Sequence, residues 1–132
     1  MSKWDEEYDW AEELPSDCPP DSAVPPQGEP YYRLAMSHPP TMEDFLSYRQ
    51  LFPGRRFRTT ECRARSCSVF SDIDSCAALS KLPAHRRKVV ISVNLGPESG
   101  VVESTGRDRS HYSWWRSDGF DPVSVCKLAG KA

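Results

Sequence analysis

The 132-residue chain is long enough for one domain and too short for two of ordinary size. Only 38% of its residues are apolar, and no run approaches the roughly 20 apolar residues of a membrane-spanning helix, which argues against a membrane protein of the helical class. The chain starts with acidic residues instead of a basic and then apolar leader, so we expect a cytoplasmic protein.

Charge is divided unequally along the chain. Residues 1–29 hold nine acids and one base, a formal charge of −8, whereas residues 30–132 hold ten acids and sixteen bases, which is +6; together they give the net −2. Six of the twelve prolines lie in the first thirty residues. We therefore predict an acidic, proline-rich aromatic arm at 1–29, extended or disordered, followed by a basic domain at 30–132.

The arm carries three aromatic residues, Trp4, Tyr8 and Trp10, and Trp4 and Tyr8 are spaced to share one face of a short helix. Two interpretations stay open for this segment. Either it is a solvated arm, or its acids and rings dock on a basic surface, which belongs to the chain itself or to a partner. Two indoles and a phenol are a large apolar load for a segment that contacts nothing.

The first half of the basic domain contains four predicted elements. Residues 31–36 form a strand, which ends before consecutive prolines that cannot donate to a β-ladder. A threonine cap and acids in the first turn predict a helix over 41–51. A second short helix begins after the pair Thr59-Thr60, and residues 66–70 form a short strand.

The centre of the chain holds its densest apolar material. Residues 71–82 are predicted to form a helix capped by Ser71 or Asp72, with Cys76 on its apolar stripe. Residues 89–95 are the clearest strand. The turn that follows has the length of a hairpin connection, so 101–105 is predicted to pair with that strand.

The last elements are shorter. Residues 111–116 form either the last strand or an aromatic lid, and Pro122 occupies the first position of a final helical turn. The order of elements predicts a single α+β domain with a mixed or mainly antiparallel sheet and two to three helices.

The five cysteines do not indicate a metal site. Cys62, Cys67 and Cys76 lack a close Cys-x2-Cys pair, and the histidines are isolated. We therefore expect these three to be buried thiols. Because the total number, which includes Cys18 and Cys126, is odd and a reducing compartment is expected, we expect no disulfide framework. No nucleophile motif such as Gly-x-Ser-x-Gly is present either.

Arginines and aromatic rings are the most conspicuous candidates for recognition, because these residue types dominate protein interfaces. Arginines beside rings also offer phosphate contacts and stacking platforms, which favours a single-stranded nucleic-acid binding module as a further alternative. The residues that we predict to contact a partner are Trp4, Tyr8, Trp10, Arg55, Arg56, Arg58, Tyr112, Trp114, Trp115 and Arg116.

Trp114 and Trp115 need separate treatment. On a strand, adjacent side chains point to opposite faces. One indole would then lie in the core, and the other would be exposed or covered by the arm or by a partner. On a loop, both rings could face a groove.

Three residues have the same order as the Arg…Ser…Glu motif of ADP-ribosyltransferase-like domains, which the chain therefore resembles. Arg33 lies in the first strand, Ser68 opens a Ser-Val-Phe run, and Glu103 lies in a late strand. The resemblance implies that Arg33 holds the pyrophosphate of NAD, that the strand of Ser68 shapes the nicotinamide pocket, and that Glu103 stabilises positive charge developing on the ribose. His111 or Tyr112 would line the pocket.

Our first expectation for function is a non-catalytic interaction protein, either a regulator, an inhibitor or an accessory subunit. It would use the acidic arm and the arginine–tryptophan surface to bind a macromolecule, with a protein ahead of a nucleic acid, no membrane and no cofactor. The alternative is an NAD-dependent enzyme or toxin of the ADP-ribosyltransferase type. The segment 61–74 and the His-x-x-Trp-Trp element also resemble small uncharacterised bacterial proteins.

Overall fold

A six-stranded sheet organises the computed structural model, which describes residues 2–130, and all five strand pairings in it are antiparallel. The spatial order is β4-β5-β2-β1-β3-β6. The predicted α+β class is confirmed. Residue 1 of the predicted arm and residues 131–132 of the predicted domain lie outside the described residues. The strands are β1 Pro30–Ala35, β2 Cys67–Phe70, β3 Val89–Asn94, β4 Gly100–Ser104, β5 His111–Arg116 and β6 Cys126–Gly130.

Short helices connect these strands. The described residues contain four α-helices, where two to three helices were expected, and three 3₁₀ turns. The α-helices are α1 Tyr48–Leu51, α2 Glu61–Ala64, α3 Ile73–Leu79 and α4 Pro122–Val125, and the 3₁₀ turns are Met42–Phe45, Pro83–His85 and Pro97–Ser99.

The central helix α3 follows its sequence pattern closely. Asp72 caps it by accepting a hydrogen bond from the backbone N–H of Ser75. The predicted stripe, which includes the buried Cys76, packs on the sheet against Phe70 and Val90. Local pattern and packing therefore agree for this element.

Side chains alternate between the two faces of the sheet along each strand. Different parts of the chain cover the two faces. The first face holds the main core, in which Trp114 packs with Val69 and Ile91, and Phe45 closes it edge-on to that indole at 6.4 Å. On the second face, α3 covers one part and residues 2–29 cover another. A polar strip of β2 and β5 lies on this second face.

The predicted helix over residues 41–51 is divided in two. A 3₁₀ turn ends at Phe45, and α1 begins only after Leu46 and Ser47, whose backbones are extended. The division lets Phe45 enter the core while Ser47 caps α1 by accepting from the N–H of Gln50. A continuous helix would have presented a different face at these positions.

The predicted hairpin between β3 and β4 is wrong. β4 lies at the opposite edge of the sheet and pairs with β5, so the two strands adjacent in sequence are separated by β1, β2 and β5. The connection turns at Gly100, whose φ is +123°, and a Cβ there would lie 2.1 Å from the carbonyl oxygen of Trp115. Only glycine fits this approach. The indole of Trp114 supports the turn by donating to the carbonyl of Ser99 at 3.0 Å.

Residues 2–29 pack on the domain. Backbone bridges join Trp10 to Ser117 and Val24 to Val102. A disulfide also joins Cys18 to Cys62, across 44 residues of sequence. The expectation of a free thiol at Cys62 is therefore wrong, and the expectation of no disulfide framework missed this bond: an odd number of cysteines allows one pair and three thiols, and the fold brings this pair together.

Candidate functional site

The tryptophan pair predicted to bind a partner is buried instead. Trp114 is 0% exposed in the main core and Trp115 is 1% exposed, because β5 is an interior strand with both faces covered. The arm covers Trp115, which was one of the alternatives for this residue. Arg116 is buried as well, and Tyr112 packs edge-on against Tyr31 at 5.4 Å. The expected arginine–tryptophan surface is not assembled.

The aromatic residues of the arm face the domain. Trp4 and Tyr8 lie 6.3 Å apart, and Tyr8 stacks on Trp10 at 5.2 Å. All three rings are partly buried and pack around Trp115. The hydroxyl of Tyr8 donates to the carbonyl of Pro97 at 2.7 Å. These rings are therefore committed to the chain's own fold in this conformation.

Two acids of the arm also meet the domain. Glu12 accepts from the hydroxyl of Ser47 at 2.8 Å, and the guanidinium of Arg65 donates to the carbonyl of Glu13 at 2.6 Å. Burial raises the pKa of Glu12, and the hydrogen bond from Ser47 opposes that rise. The docked position of the arm thus combines apolar, polar and covalent contacts.

Arg33, Ser68 and Glu103 do not form a common cleft. Their places in the strands put Arg33 on the first face of the sheet and the other two side chains on the second face. Arg33 donates to the carbonyl oxygens of Asp44, at 2.6 Å, and of Ser68. Glu103 accepts from the hydroxyl of Ser22. The arrangement required by the ADP-ribosyltransferase resemblance is therefore absent from this conformation.

A different set of arginines and rings does reach the surface. We call it the arginine–aromatic surface, and its members are Tyr48, Leu51, Phe52, Arg55, Arg56, Phe57 and Arg58. Tyr48 is 54% exposed and Phe52 is 40% exposed. The guanidinium of Arg55 lies 4.1 Å from the centre of the Phe52 ring, a cation–π arrangement.

Arg49 fixes the backbone beneath this surface. Its guanidinium donates to the carbonyl oxygens of Pro53 and Arg55 at 2.7 and 2.9 Å, and it forms two bonds with the carboxylate of Glu61, at 2.7 and 2.8 Å. Hydrogen bonds from Arg49 and then from Arg65 lower the pKa of Glu61 to about 2. The loop is thereby held while Arg55, like Arg56 and Arg58, stays exposed.

Sequence reasoning identified the three exposed arginines and missed the rings beside them. Tyr48 and Leu51 fell within the predicted helix over 41–51 and Phe52 directly after it, and all three are exposed beyond the break at Ser47. The sequence feature that could have indicated this surface is the run of residues 45–60, which contains four arginines and no acid.

A second polar feature occupies the strip of β2 and β5 on the second face. The hydroxyl groove, about 210 Å³ in volume, opens beside Tyr48. α2 separates it from the arm, because Cys62 is joined to the arm while Arg63 lines the groove. Its lining consists of Tyr48, Thr59, Arg63, Ser66, Ser68, His111 and Ser113.

Within residues 2–130, no group of three or more histidine, cysteine or acidic side chains is arranged to hold a metal ion. The same part of the chain contains no helix with the length and apolarity needed to cross a bilayer. Comparison with protein-family models, with curated proteins and with solved structures finds no match.

Proposed function

We propose that the chain is a non-catalytic interaction protein that binds an acidic segment of a protein partner through the arginine–aromatic surface. The observation that carries this proposal is the exposure of Tyr48 and Phe52 beside Arg55, Arg56 and Arg58. Aromatic residues and arginine are the types enriched in interfaces and in their energetic hot spots. We therefore assign the partner contacts that the sequence suggested for Trp114 and Trp115 to this surface instead.

The apolar part of the surface continues into a cavity of about 550 Å³. Leu51 belongs to both, and Met36, which is 62% exposed, lines the cavity together with Lys88 and the acids Glu43 and Asp44. Methionine adapts its shape easily to an incoming side chain. The cavity therefore suits an apolar anchor of the partner, while the arginines outside the cavity suit acidic residues on the side of the anchor that faces away from Glu43 and Asp44.

Charge favours an acidic partner. Three of the four arginines in the run 45–60 are exposed, namely Arg55, Arg56 and Arg58, whereas the fourth, Arg49, is paired with Glu61. Complementary charge mainly raises the association rate and excludes basic partners, and it contributes less to the affinity itself. Binding should therefore weaken as salt concentration rises.

This proposal does not use the arm as a free ligand, since the rings of Trp4, Tyr8 and Trp10 are packed on the domain. It needs no cofactor, and an NAD-dependent reaction gains no support from the separated Arg33 and Glu103. A cytoplasmic location stays a prediction. The disulfide weighs against it, because such bonds persist mainly in oxidising compartments.

The test is fluorescence anisotropy with a labelled synthetic peptide of aspartate and glutamate that carries one leucine and one phenylalanine. The expected result is saturable, salt-sensitive binding that weakens about tenfold or more in Phe52→Ala and in Arg55→Gln/Arg56→Gln. Lys81→Gln/Lys127→Gln removes the same charge from two exposed positions outside the surface and its cavity and is the matched control.

Three outcomes count against the proposal. The first is binding that is equally strong for a peptide without the two apolar residues, which would indicate charge attraction alone. The second is equal weakening by the control variant. The third is tighter binding of a single-stranded oligonucleotide than of the peptide, which would favour the nucleic-acid alternative.

A further inference from the structure

A pocket of different character adjoins the hydroxyl groove. This apolar pocket, about 380 Å³ in volume, is lined by Phe70 and Leu79 on one side and by Gly106, Arg107 and Asp108 on the other. The lining places a ring edge and an aliphatic side chain next to a loop that contains charged groups. Such a pocket suits a flat, weakly polar ring with polar atoms at its rim.

His111 lines both cavities and so marks their boundary. Its ring meets Phe70 edge-on at 5.3 Å. Its Nδ1 lies 3.0 Å from the carbonyl oxygen of Thr105 and 3.1 Å from the hydroxyl of the same residue. A proton on Nδ1 would be donated to that carbonyl, which leaves Nε2 for a ligand.

The hydroxyl groove provides donors for an anion. Arg63 supplies a guanidinium, Ser68 and Thr59 supply hydroxyls, and no carboxylate lines the groove within the described residues. Ser113 holds the side of the groove in place, because its hydroxyl lies 2.8 Å from that of Thr105. Guanidinium and hydroxyl groups together are well suited to phosphate oxygens.

The two cavities lie within reach of a single ligand. The Nη2 atom of Arg63 comes within 3.8 Å of the position that a Cβ on Gly106 would occupy, and Gly106 lines the apolar pocket. Arg63 therefore extends from the polar cavity to the edge of the apolar one. Asp108 lies at the rim of the apolar pocket. Hydrogen bonds from the backbone N–H and the hydroxyl of Ser110 lower the pKa of Asp108, so this carboxylate is ionised and can accept a hydrogen bond from a ligand.

We infer that the double cavity binds a small molecule in which a flat ring is joined to a phosphate monoester, of the nucleoside monophosphate class. The ring would lie against Phe70 and Leu79, the phosphate would meet Arg63 and Ser68, and the linking sugar would pass His111. This site adjoins the arginine–aromatic surface and shares Tyr48 with it, but its ligand is a small molecule and not a macromolecule.

The experiment uses the full chain labelled with ¹⁵N and a set of probes: adenosine monophosphate, uridine monophosphate, adenosine, phenyl phosphate, inorganic phosphate and a short oligodeoxyadenylate. The nucleoside monophosphates should shift the resonances of Ser68, His111 and Gly106 in a saturable way. Adenosine and inorganic phosphate should each bind about tenfold or more weakly than adenosine monophosphate, because each contacts only one cavity.

Two variants and a control locate the site. Arg63→Gln should weaken the binding of adenosine monophosphate by about tenfold or more. Ser68→Val, tested as a separate variant, should weaken binding more than Arg63→Gln does, because the larger side chain fills the hydroxyl groove. Arg87→Gln removes an equal charge from an exposed position outside both cavities and should leave the affinity unchanged. The amide spectrum of each variant shows whether it is folded.

Any of four results would overturn the inference. The first two are no shift with any probe at millimolar concentration and shifts confined to residues outside the two cavities. The third is equal loss of affinity in Arg87→Gln and Arg63→Gln. The fourth is an affinity for the oligodeoxyadenylate, corrected for its number of binding sites, that exceeds the affinity for adenosine monophosphate. The last result would indicate a strand-binding surface. None of these measurements depends on the acidic peptide, so failure here is distinguishable from failure of the proposed function.

Discussion

Removal of the Cys18–Cys62 disulfide should destabilise the chain strongly. The bond closes a loop with a sequence separation of 44 residues. By the chain-entropy relation, freeing a loop of that length increases the freedom of the unfolded state enough to lower the free energy of unfolding by about 4 kcal/mol. Since domains of this size are typically stable by about 5–15 kcal/mol, the loss would be a large fraction of the total.

The double variant Cys18→Ala/Cys62→Ala isolates this effect. Urea unfolding followed by tryptophan fluorescence should show its midpoint lowered by about 2 M, if the slope is about 2 kcal/mol/M. Wild-type protein in a thiol reductant should shift by a similar amount. Cys126→Ser, which changes a half-buried free thiol, is the matched control and should leave the midpoint almost unchanged.

The reasoning would be refuted by equal midpoints of the double variant and of oxidised wild-type protein. It would also be refuted if the intact mass of protein prepared without reductant showed five free thiols. A smaller shift with unequal slopes would have a different meaning, because it would show that the arm unfolds separately from the sheet.

Three further changes test other parts of the structure. Glu61→Gln should lower the urea midpoint slightly at neutral pH, because the variant loses the ion pairs with Arg49 and Arg65. The pKa of Glu61 in the folded state, about 2, lies below its value in the unfolded state. In a pH series of unfolding curves, the difference between variant and wild type should therefore vanish as pH falls from about 4.5 toward 2. Trp115→Ala should cost about 3–5 kcal/mol in the same unfolding assay, since the indole is buried beneath the arm. Alkylation at neutral pH, read by mass spectrometry, should modify Cys126 before Cys67 and Cys76, because those two thiols are buried whereas Cys126 is only half-buried. Burial raises the pKa of all three thiols, to about 11 for Cys76, so each should react slowly. Faster labelling of Cys67 or Cys76 would contradict the packing.

Elements with strong local signals were predictable from sequence. The strand at 31–36 and the strand at 89–95 appear as β1 and β3 within a residue or two of the expected bounds, and α3 has the expected cap at Asp72. In each case the cap, the breaker and the apolar pattern lie within a few residues of one another. Such signals do not depend on what the rest of the chain does.

Features that depend on distant contacts were not predictable in the same way. The pairing of β4 is decided by Gly100 and the carbonyl of Trp115 next to it, and β6 is a short edge strand whose sequence lacks clear alternation. The fate of Trp115 depended on what covers it, which only the placement of the arm decides. The exposed rings of the arginine–aromatic surface were missed because the extended backbone at Ser47 redirects the chain.

The opposite charges of the two parts of the chain do not simply neutralise each other. In the docked arm, the backbone carbonyl of Glu13 accepts a hydrogen bond from Arg65, and the carboxylate of Glu12 accepts one from Ser47. Its main contacts are apolar, around Trp115 and the disulfide. The arm thus covers a part of the sheet that would otherwise expose an indole, while Arg55 and its neighbours remain exposed on the surface. It follows that the arm is a structural element, and that attraction for an anionic partner should persist when it is docked.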